Sequence, residues 1–378
     1  MTRRTRLIIL LVCVVCFLVI APILVLYSEG YRFDFENMKI TETGGIYVRT
    51  FPTAEQIIID SSAPQKPGFL NNYVFVQSLL PKNHSVLVKK EGCYDYTKTL
   101  AVKEREVTKL ENVFLFKKDL AFDILEDATK SPFLTQNKIE KFIIKNNNLY
   151  YSDIESNAGL TATQKTTPII KNIIAFKVVN GNIIWLGLDG FLYKSNSSGQ
   201  NSEKLSLTAI KITKGNSYKI TADNGNIFLN NGSEFLILDN KTNEFNKFAS
   251  STKNEKFSPD GKNLAYSINN KVYIYNILDD PSRTFLKKGE GFNLITLNAT
   301  PSDILWLNND YLIFIAGDKI IISEIDYRGN VNSITMPETT KIADKIYTIK
   351  SPQIYLDQSS KLYILTQKNI LISEKLSP

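Results

Sequence analysis

The hydrophobic pattern divides the chain into one long apolar segment and a remainder of short alternating stretches. Leu7 to Leu26 is a run of twenty uncharged residues that directly follows the basic residues Arg3, Arg4 and Arg6. At about 1.5 Å per residue, a helix of this length crosses a hydrocarbon core of about 30 Å. Basic residues beside such a helix stay on the cytoplasmic side. The pattern therefore predicts a transmembrane helix over 7–26, a cytoplasmic stub at 1–6, and an extracytoplasmic location for everything after Leu26.

A cleaved secretory signal is the alternative interpretation of this segment. Such a signal also begins with basic residues, but it has a shorter apolar core and ends at a small-x-small cleavage site. The exit from this segment, Leu26-Tyr27-Ser28-Glu29-Gly30-Tyr31, lacks that site. The sequence therefore favours a retained anchor and leaves cleavage as the open alternative.

Beyond Leu26 the pattern is that of an all-β protein. Short alternating stretches of Ile, Val, Tyr, Phe and Leu are separated by Asn-Gly, Asp-Gly and Asn-Asn pairs, which are typical of strands joined by tight turns. The turn sequences change in character at about residue 117. We therefore expect a spacer over 27–43, a small β-sandwich over 44–116 and a β-propeller over 117–378.

The first of these two domains is predicted to be a small antiparallel sandwich. Its strands recur at intervals of about ten to fifteen residues, which suits a two-layer β-domain of about 75 residues. The predicted strands are Gly45–Arg49, Ile57–Asp60, Tyr73–Val76, Ser85–Val88 and Tyr96–Val102.

Five short motifs in this part of the chain, in order, resemble a PEGA domain over about residues 44–116. They are Gly44-Gly45-Ile46-Tyr47-Val48, Phe51-Pro52, Ile57-Ile58-Ile59-Asp60, Leu79-Leu80-Pro81 and Lys89-Lys90-Glu91-Gly92, and the matching positions are Gly45, Pro52, Asp60, Pro81, Gly92 and Tyr94. The sequence departs from the family at turn positions, where Ala54, Glu55, Ser61, Lys82 and Cys93 replace expected residues. Lost glycines predict altered turns at Ala54, Ser61 and Lys82. The resemblance implies a domain of surface-layer and envelope proteins without catalytic residues.

From residue 117 onward a polar turn followed by an apolar strand recurs. Successive units advance by 34, 43, 37, 48 and 50 residues, and a four-stranded propeller blade takes about 40 to 45 residues. We therefore predict six blades, with a seventh if 117–137 contributes strands such as Leu120–Leu125; two stacked sandwiches are the alternative. The units begin at Asn146, Asn180, Asp223, Asp260, Asn308 and Gln358.

One of these units carries a specific motif, Phe257-Ser258-Pro259-Asp260-Gly261. Together with the Lys, Leu, Ala and Tyr that follow, it is similar to the repeat of propellers like that of the Tol-system periplasmic protein. Pro259 fixes φ at a turn, Asp260 can accept a hydrogen bond from its own backbone, and Gly261 supplies a positive φ.

Charge and cysteine content narrow the possible partners and the sources of stability. The formal net charge is +7, and the three N-terminal arginines supply +3 of it. The remaining +4 is mixed with acidic residues along the chain, so no nucleic-acid partner is predicted. Cys13 and Cys16 lie in the apolar segment, which leaves Cys93 as the single exterior cysteine. An intramolecular disulfide is therefore excluded there, and Cys93 is expected to be a buried small residue or, alternatively, a thiol for an intermolecular bridge.

The sequence offers little catalytic chemistry. His84 is the single histidine, which argues against a histidine-rich metal centre, and we expect it in a solvated turn. Motifs for a nucleophilic serine, a zinc protease or a phosphate loop are missing. The loop carboxylates that are candidates for a glycosidase pair are Asp279, Asp280, Asp303 and Asp310. We predict no catalytic residue, no metal and no cofactor.

These observations predict a single-pass, membrane-anchored binding or scaffold protein of the cell envelope, with no enzymatic activity. The lipid bilayer would hold Leu7 to Leu26, and the propeller surface would recognise an envelope protein or a cell-wall glycan. Two alternatives remain open. One is a carboxylate-dependent glycan-processing enzyme, and the other is an envelope sensor that acts through a membrane partner.

Overall fold

The structure is a computed structural model that describes residues 3–68, 71–126, 131–133, 142–151, 167–281, 283, 285–367 and 369–376. The chain forms two compact units. Among the described residues, the first contains 3–119 and Asp326–Asn332, and the second contains Leu120–Ile325 and Ser333–Leu376.

The apolar segment is a single helix, α1 (Arg3–Ser28). It is longer than the predicted span because the three arginines and the Tyr27-Ser28 pair continue it at its two ends. The helix buries none of its residues, and Phe17, for example, is 68% exposed. By length and composition it is able to cross a membrane or to serve as an N-terminal signal, so the prediction of one apolar helix is confirmed.

The predicted spacer contains a β-hairpin. Its strands are β1 (Tyr31–Asp34) and β2 (Lys39–Glu42), which pair antiparallel with Phe33 opposite Ile40. Because side chains alternate along a strand, the hairpin has two different faces. Asp34 and Thr41 on one face are buried, whereas Phe33 and Ile40 on the other are exposed.

Six further strands of the first unit form two three-stranded sheets around one apolar core. The sheet orders are β5-β3-β8 and β4-β6-β7, and core residues such as Ile46 and Val48 of the first sheet pack with Val86 and Val88 of the second. The strands are β3 (Gly44–Phe51), β4 (Gln56–Ile59), β5 (Tyr73–Leu79), β6 (Asn83–Lys89), β7 (Tyr96–Ala101) and β8 (Val107–Phe114).

The prediction of an all-antiparallel sandwich is wrong in one pairing. Strand β8 runs parallel to β3, with Ile46 opposite Thr108 and Val48 opposite Leu110. The physical reason is the connection: β8 follows β7, which lies in the other sheet, so the chain reaches β3 by a crossover and no hairpin turn forces the antiparallel direction.

A short segment from the distant part of the sequence completes the first unit. In Asp326–Asn332, the carbonyl oxygens of Asp326 and Asn330 accept hydrogen bonds from the ammonium group of Lys98, whose side chain is fully buried. The Asn330 side chain also bonds the backbone of Thr97 and Thr99 on β7. The buried charge of Lys98 is therefore satisfied by this segment.

The second unit is a β-propeller, as predicted, and its described residues form six blades. Four complete blades are consecutive four-stranded antiparallel sheets. Their strands are β13 (Ile173–Val179), β14 (Asn182–Gly187), β15 (Leu192–Asn196) and β16 (Glu203–Lys204) in blade 2; β17 (Lys219–Asp223), β18 (Asn226–Asn230), β19 (Glu234–Leu238) and β20 (Phe245–Ser250) in blade 3; β21 (Lys253–Phe257), β22 (Asn263–Ile268), β23 (Lys271–Asn276) and β24 (Gly291–Thr296) in blade 4; and β25 (Pro301–Trp306), β26 (Tyr311–Ala316), β27 (Lys319–Glu324) and β28 (Ser333–Thr335) in blade 5.

The first and last blades differ from these four. Blade 6 combines β31 (Gln353–Leu356), β32 (Lys361–Leu365) and β33 (Ile370–Lys375) with β9 (Phe122–Ile124), so both ends of the unit lie in one sheet. Within the stretch 117–137, the candidate for a seventh blade, β9 completes the sixth blade, and 127–130 and 134–137 lie outside the described residues. Blade 1 has β10 (Phe142–Lys145), β11 (Asn148–Tyr151) and β12 (Ile170–Lys171) among the described residues, and a hairpin of β29 (Thr339–Ile342) and β30 (Lys345–Thr348) precedes blade 6.

In blades 4 and 5 the second strand is the most deeply buried strand of the sheet. Five of the six residues of β22, and likewise of β26, are buried, because both faces of each sheet pack against neighbouring blades. Alternation therefore gives way to continuous apolar stretches such as Tyr311–Ala316. This packing excludes two stacked sandwiches, in which each strand would keep one exposed face.

Candidate binding surface

The inner strands of neighbouring blades run side by side in the same direction. Lys219 at the start of β17 contacts Glu255 in β21, and Lys256 in β21 contacts Asp303 in β25, each at 2.8 Å. Further along, Asp260 meets Asn309, whose side chain accepts from the Asp260 amide at 3.1 Å. The contacts thus follow one another in the same order along both of the neighbouring inner strands. All turns between first and second strands therefore lie at one end of the propeller, and all turns between second and third strands lie at the other.

The first of these ends, which we call the turn end, carries the predicted repeat. Its described members are Asn180-Gly181, Asn224-Gly225, Asp260-Gly261, Asn308-Asn309 and Gln358–Ser360. The unit at Asn146 is different. The Asn147 carbonyl accepts from the amide of Ile173 at the start of blade 2, as other turns between second and third strands do with the following blade. The first interval of the repeat, 34 residues, is therefore short because its first turn lies at the other end of the propeller.

The Phe257–Gly261 motif forms the turn of blade 4 at this end. The Ser258 hydroxyl donates to Asp260 Oδ1 at 2.6 Å, and the Lys262 amide donates to the same oxygen at 3.1 Å. Pro259 is exposed, and Gly261 has a φ of +69°. The polar side chains of the motif are therefore hydrogen-bonded within the turn, so the motif has a structural role.

Neighbouring turns of this end are packed against one another. A Cβ at Gly261 would lie 2.5 Å from the side chains of Asp223 and Asn224 in blade 3. On the other side, Asn309 of blade 5 accepts from the Asp260 amide. The turns of blades 3, 4 and 5 thus form one continuous polar row held by cross-blade contacts.

The opposite end of blades 3 to 6, which we call the lysine end, is rich in lysine. Its loops and strand ends, in the ranges 207–219, 230–234, 250–255, 268–271, 316–319 and 336–352, carry nine exposed lysines against four solvent-accessible acidic residues. The lysines are Lys211, Lys214, Lys219, Lys253, Lys271, Lys319, Lys341, Lys345 and Lys350, and the acidic residues are Glu234, Asp318, Glu338 and Asp344. With the buried Glu255 the acidic residues number five, so this end has an excess of four positive charges, which gives it a positive field.

A buried carboxylate, that of Glu255, lies between blades 3 and 4 at the lysine end. Glu255 is 3% exposed and accepts hydrogen bonds from Asn230 at 2.7 Å, Thr252 at 2.8 Å and Lys219 at 2.8 Å. Burial raises the pKa of Glu255, but the charge of Lys219 and these hydrogen bonds outweigh it, so the pKa lies below its ordinary value. Glu255 is therefore ionised and joins blades 3 and 4.

Sequence reasoning missed the lysine end, although a signal was present. Four of its lysines are the first residue of a strand that follows a polar turn, namely Lys219, Lys253, Lys271 and Lys319. Alternation alone does not show that these strand starts share one end, because that requires knowing which turn joins which pair of strands.

The four candidate carboxylates are held by basic groups or amides. Asp303 pairs with Lys256 at 2.8 Å, Asp280 with Lys262 at 3.0 Å, and Asp310 with Arg283 at 2.7 Å. Asp279 accepts from the Lys288 amide at 2.9 Å. Each carboxylate therefore has a structural partner. Among the described residues, no group of three or more histidine, cysteine, aspartate or glutamate side chains is placed to hold a metal ion.

The expectation for His84 is wrong. His84 lies in β6, is 3% exposed, and its Nδ1 and Nε2 are 2.7 and 2.8 Å from Asp60 Oδ2 and the Leu80 carbonyl. Burial raises the pKa of Asp60, yet the bonds from His84 and the Ser85 amide outweigh it and the pKa is lowered.

The other positions of the PEGA-like motifs are distributed over turns and core. Gly45 lies in β3 beneath Phe75, whose ring would be 2.8 Å from an added Cβ, and Gly92 turns with a φ of +74°. Pro52 follows β3, Pro81 lies between β5 and β6, and the Tyr94 amide donates to the Phe116 carbonyl. These residues are not brought together into one site.

The positions predicted to have altered turns differ from one another in the structure. A positive φ occurs at Asp60, one residue before Ser61, while Ala54 is buried with its amide bonded to Thr50. Cys93 is 4% exposed in the sandwich core, and burial raises the pKa of its thiol.

Comparison with known proteins gives a likeness in fold only. No protein-family model and no curated protein matches the chain. Among solved structures, it is similar to YCF48 from Cyanidioschyzon merolae, with 12% identity, 85% of this chain and 96% of that chain covered, and a TM-score of 0.39. An auxiliary nutrient binding protein from Bacteroides ovatus has 11% identity, coverage of 84% and 90%, and a TM-score of 0.36. Both are propeller-like. Because both TM-scores are below 0.5, the assignment of the second unit as a propeller depends on the strand pairing of this chain.

Proposed function

We propose that this chain is a membrane-anchored, extracytoplasmic binding scaffold of the cell envelope. In this proposal α1 is retained in the bilayer with its arginines in the cytoplasm. The lysine end of the propeller binds an acidic envelope protein or an acidic cell-wall glycan, and no reaction is catalysed. The observation that carries the proposal is the display of nine exposed lysines on loops of one propeller end.

The rigidity of the lysine end supports a binding role. Glu255 accepts hydrogen bonds from Lys219 in β17, from Asn230 in β18 and from Thr252, which directly precedes β21. Loops on a rigid frame bind with little loss of conformational freedom. The positive field would speed encounter with a negatively charged partner.

The first unit supports placement in the envelope. Its two-sheet sandwich carries the ordered PEGA-like motifs at about residues 44–116, and we propose that it is a PEGA-like domain. It would serve as a spacer or second contact between α1 and the propeller. The TolB-like interpretation of the Phe257–Gly261 repeat belongs to the same proposal.

We propose neither catalysis nor a nucleic-acid partner, for two reasons. The candidate carboxylates are engaged by Lys256, Lys262, Arg283 and the Lys288 amide, so none is offered as an acid or base. Placement outside the cytoplasm would separate the lysine end from cellular nucleic acid.

Binding is tested with a charge-removal variant of the full chain in lipid nanodiscs. Lysines 253, 271, 319 and 350 are changed to serine, and the matched control changes the exposed lysines 241, 287, 288 and 361. Co-sedimentation with envelope fragments of the source cell should be lost in the first variant and kept in the control. It should also weaken as salt rises, because charges are screened. Equal binding by both variants would contradict the proposal, and prior treatment of the fragments with protease or with glycan hydrolase assigns the partner to protein or glycan.

A further inference from the structure

The hairpin of β1 and β2 begins immediately after α1 and is fixed to its last turn. Tyr31 follows Ser28 by three residues, a distance of at most about 11 Å along an extended chain. The Arg32 guanidinium lies 3.6 Å from the centre of the Tyr27 ring and donates to the Tyr27 carbonyl at 2.8 Å. The Thr43 amide and hydroxyl both donate to the Gly30 carbonyl. The hairpin therefore follows the helix as part of a defined junction.

The inner face of the hairpin is held on the sandwich by polar contacts. Thr41 donates to Glu104 at 2.6 Å, and Arg32 donates to Ser78 at 3.0 Å. At the turn, the ammonium group of Lys82 donates to Glu36 at 2.6 Å. These contacts fix which face of the hairpin points outward.

The outward face is apolar and exposed. Phe33 and Ile40 are cross-strand partners with exposures of 42% and 57%, and Phe35 and Met38 in the turn region are 80% and 73% exposed. The rings of Phe33 and Phe35 pack edge to face at 4.9 Å. We call these four side chains the apolar hairpin face. Contiguous exposed apolar side chains mark sites of interaction on a protein.

The charged groups near the apolar hairpin face do not oppose contact with lipid. Glu42 lies on the same face, and its carboxylate accepts from both Tyr31 and Arg105, so its negative charge is compensated. Lys39 is exposed, and its long stem allows its ammonium group to reach lipid phosphate. Aromatic residues with nearby basic residues are typical of the membrane–water interface.

We infer that the apolar hairpin face lies in the headgroup layer of the membrane, as a second contact beside α1. This inference rests on the proposed retention of α1 in the bilayer. The hydrocarbon core is about 30 Å thick and the whole bilayer about 40 to 45 Å, so each headgroup layer is several ångströms deep. The junction at Tyr27 holds the hairpin next to that layer, and apolar side chains buried there gain as those of interfacial helices do. The bilayer thus covers a face that the protein leaves open.

Tryptophan fluorescence of the full chain in nanodiscs tests the inference. Phe35→Trp and, separately, Ile40→Trp place a reporter on the apolar hairpin face, while Tyr73→Trp, 39% exposed on β5, is the matched control. The emission of Trp185 and Trp306 is subtracted using the wild-type chain. With acyl chains brominated near the headgroup, we expect a loss of the added emission in the two hairpin variants and none in the control. Circular dichroism verifies that each variant keeps its β-structure.

Two outcomes would overturn the inference. Emission from Phe35→Trp and Ile40→Trp that is neither shifted to the blue nor quenched by brominated lipid means that the face is in water. A blue shift without quenching means that protein, such as a second copy of this chain, covers it. A helix reporter, Phe17→Trp, separates these results from failure of the anchor: it should be quenched by bromine deep in the acyl chains, and loss of that signal refutes the retained anchor instead.

Discussion

At the scale of single residues, buried charges in this chain are satisfied by several donors or acceptors each. Glu255 has three donors and Lys98 has two carbonyl acceptors. Such groups are costly to leave without partners and contribute little when exposed. Substitutions at these positions should therefore have larger effects than substitutions at surface pairs.

Glu255→Gln should lower the free energy of unfolding of the propeller by about 1–3 kcal/mol. The amide keeps one acceptor oxygen in place of two, so either the bond from Lys219 to Oε2 or the bonds from Asn230 and Thr252 to Oε1 are lost. The matched control is Glu234→Gln, whose partner Lys247 is 59% exposed, and it should change stability by less than about 0.5 kcal/mol. Both tryptophans, Trp185 and Trp306, lie in the propeller, so their emission during urea unfolding reports on this unit. Equal effects of the two substitutions would refute the role assigned to Glu255.

The Asp60–His84 pair should make the sandwich sensitive to acid. The pKa of Asp60 is lowered in the folded state, so its contribution is present above the unfolded value of about 3.9 and is lost as pH falls through the folded value. The Asp60 side chain is 46% exposed, which limits the effect to less than about 1 kcal/mol. Amide exchange protection in β6, corrected for intrinsic rates, should be constant from about pH 7 to 5 and fall below about pH 4. Asp60→Asn should abolish that fall; an unchanged acid response in this variant would show another group to be responsible.

At the scale of elements, the turns determine how blades pack. Gly261→Ala combines a φ of +69° with a Cβ only 2.5 Å from Asp223 and Asn224, and it should cost about 1–3 kcal/mol. Gly225→Ala has a φ of +81° but nothing within 4 Å, so it should cost about 1 kcal/mol or less. Urea unfolding followed by tryptophan emission measures both. Equal costs would show that the contact between neighbouring turns is unimportant.

Some elements could be predicted from the sequence and others could not, for physical reasons. The Asn-Gly and Asp-Gly turns, the continuous apolar second strands and α1 are local features, so periodicity identifies them. The parallel direction of β8, the pairing of β9 with β33 and the inclusion of Asp326–Asn332 in the first unit depend on contacts between residues far apart in sequence. The β1–β2 hairpin was missed because its exposed Phe33, Phe35 and Ile40 do not follow the rule that apolar residues are buried.

At the scale of the whole molecule, the candidate binding surface also has a part that the sequence predicts and a part that it does not. The motif that the sequence emphasised, Phe257–Gly261, is a structural turn with its polar groups already bonded. The lysine end was not foreseen, because its residues come from separate strands whose common end is set by the parallel inner strands. A functional surface in a propeller is thus a property of blade order and direction, which single motifs do not encode.

The proposed function requires that α1 remains in the membrane with the propeller on the extracytoplasmic side, and cysteine labelling on intact cells tests this most directly. In a chain carrying Cys13→Ser and Cys16→Ser, Cys93 is buried, and Leu207→Cys, at a position 67% exposed in the propeller, supplies the reporter. Thr5→Cys is the matched cytoplasmic position. A membrane-impermeant maleimide should label Leu207→Cys on intact cells and Thr5→Cys only after lysis. Labelling of Leu207→Cys only after lysis, or a mature chain that begins beyond Leu26, would contradict the account.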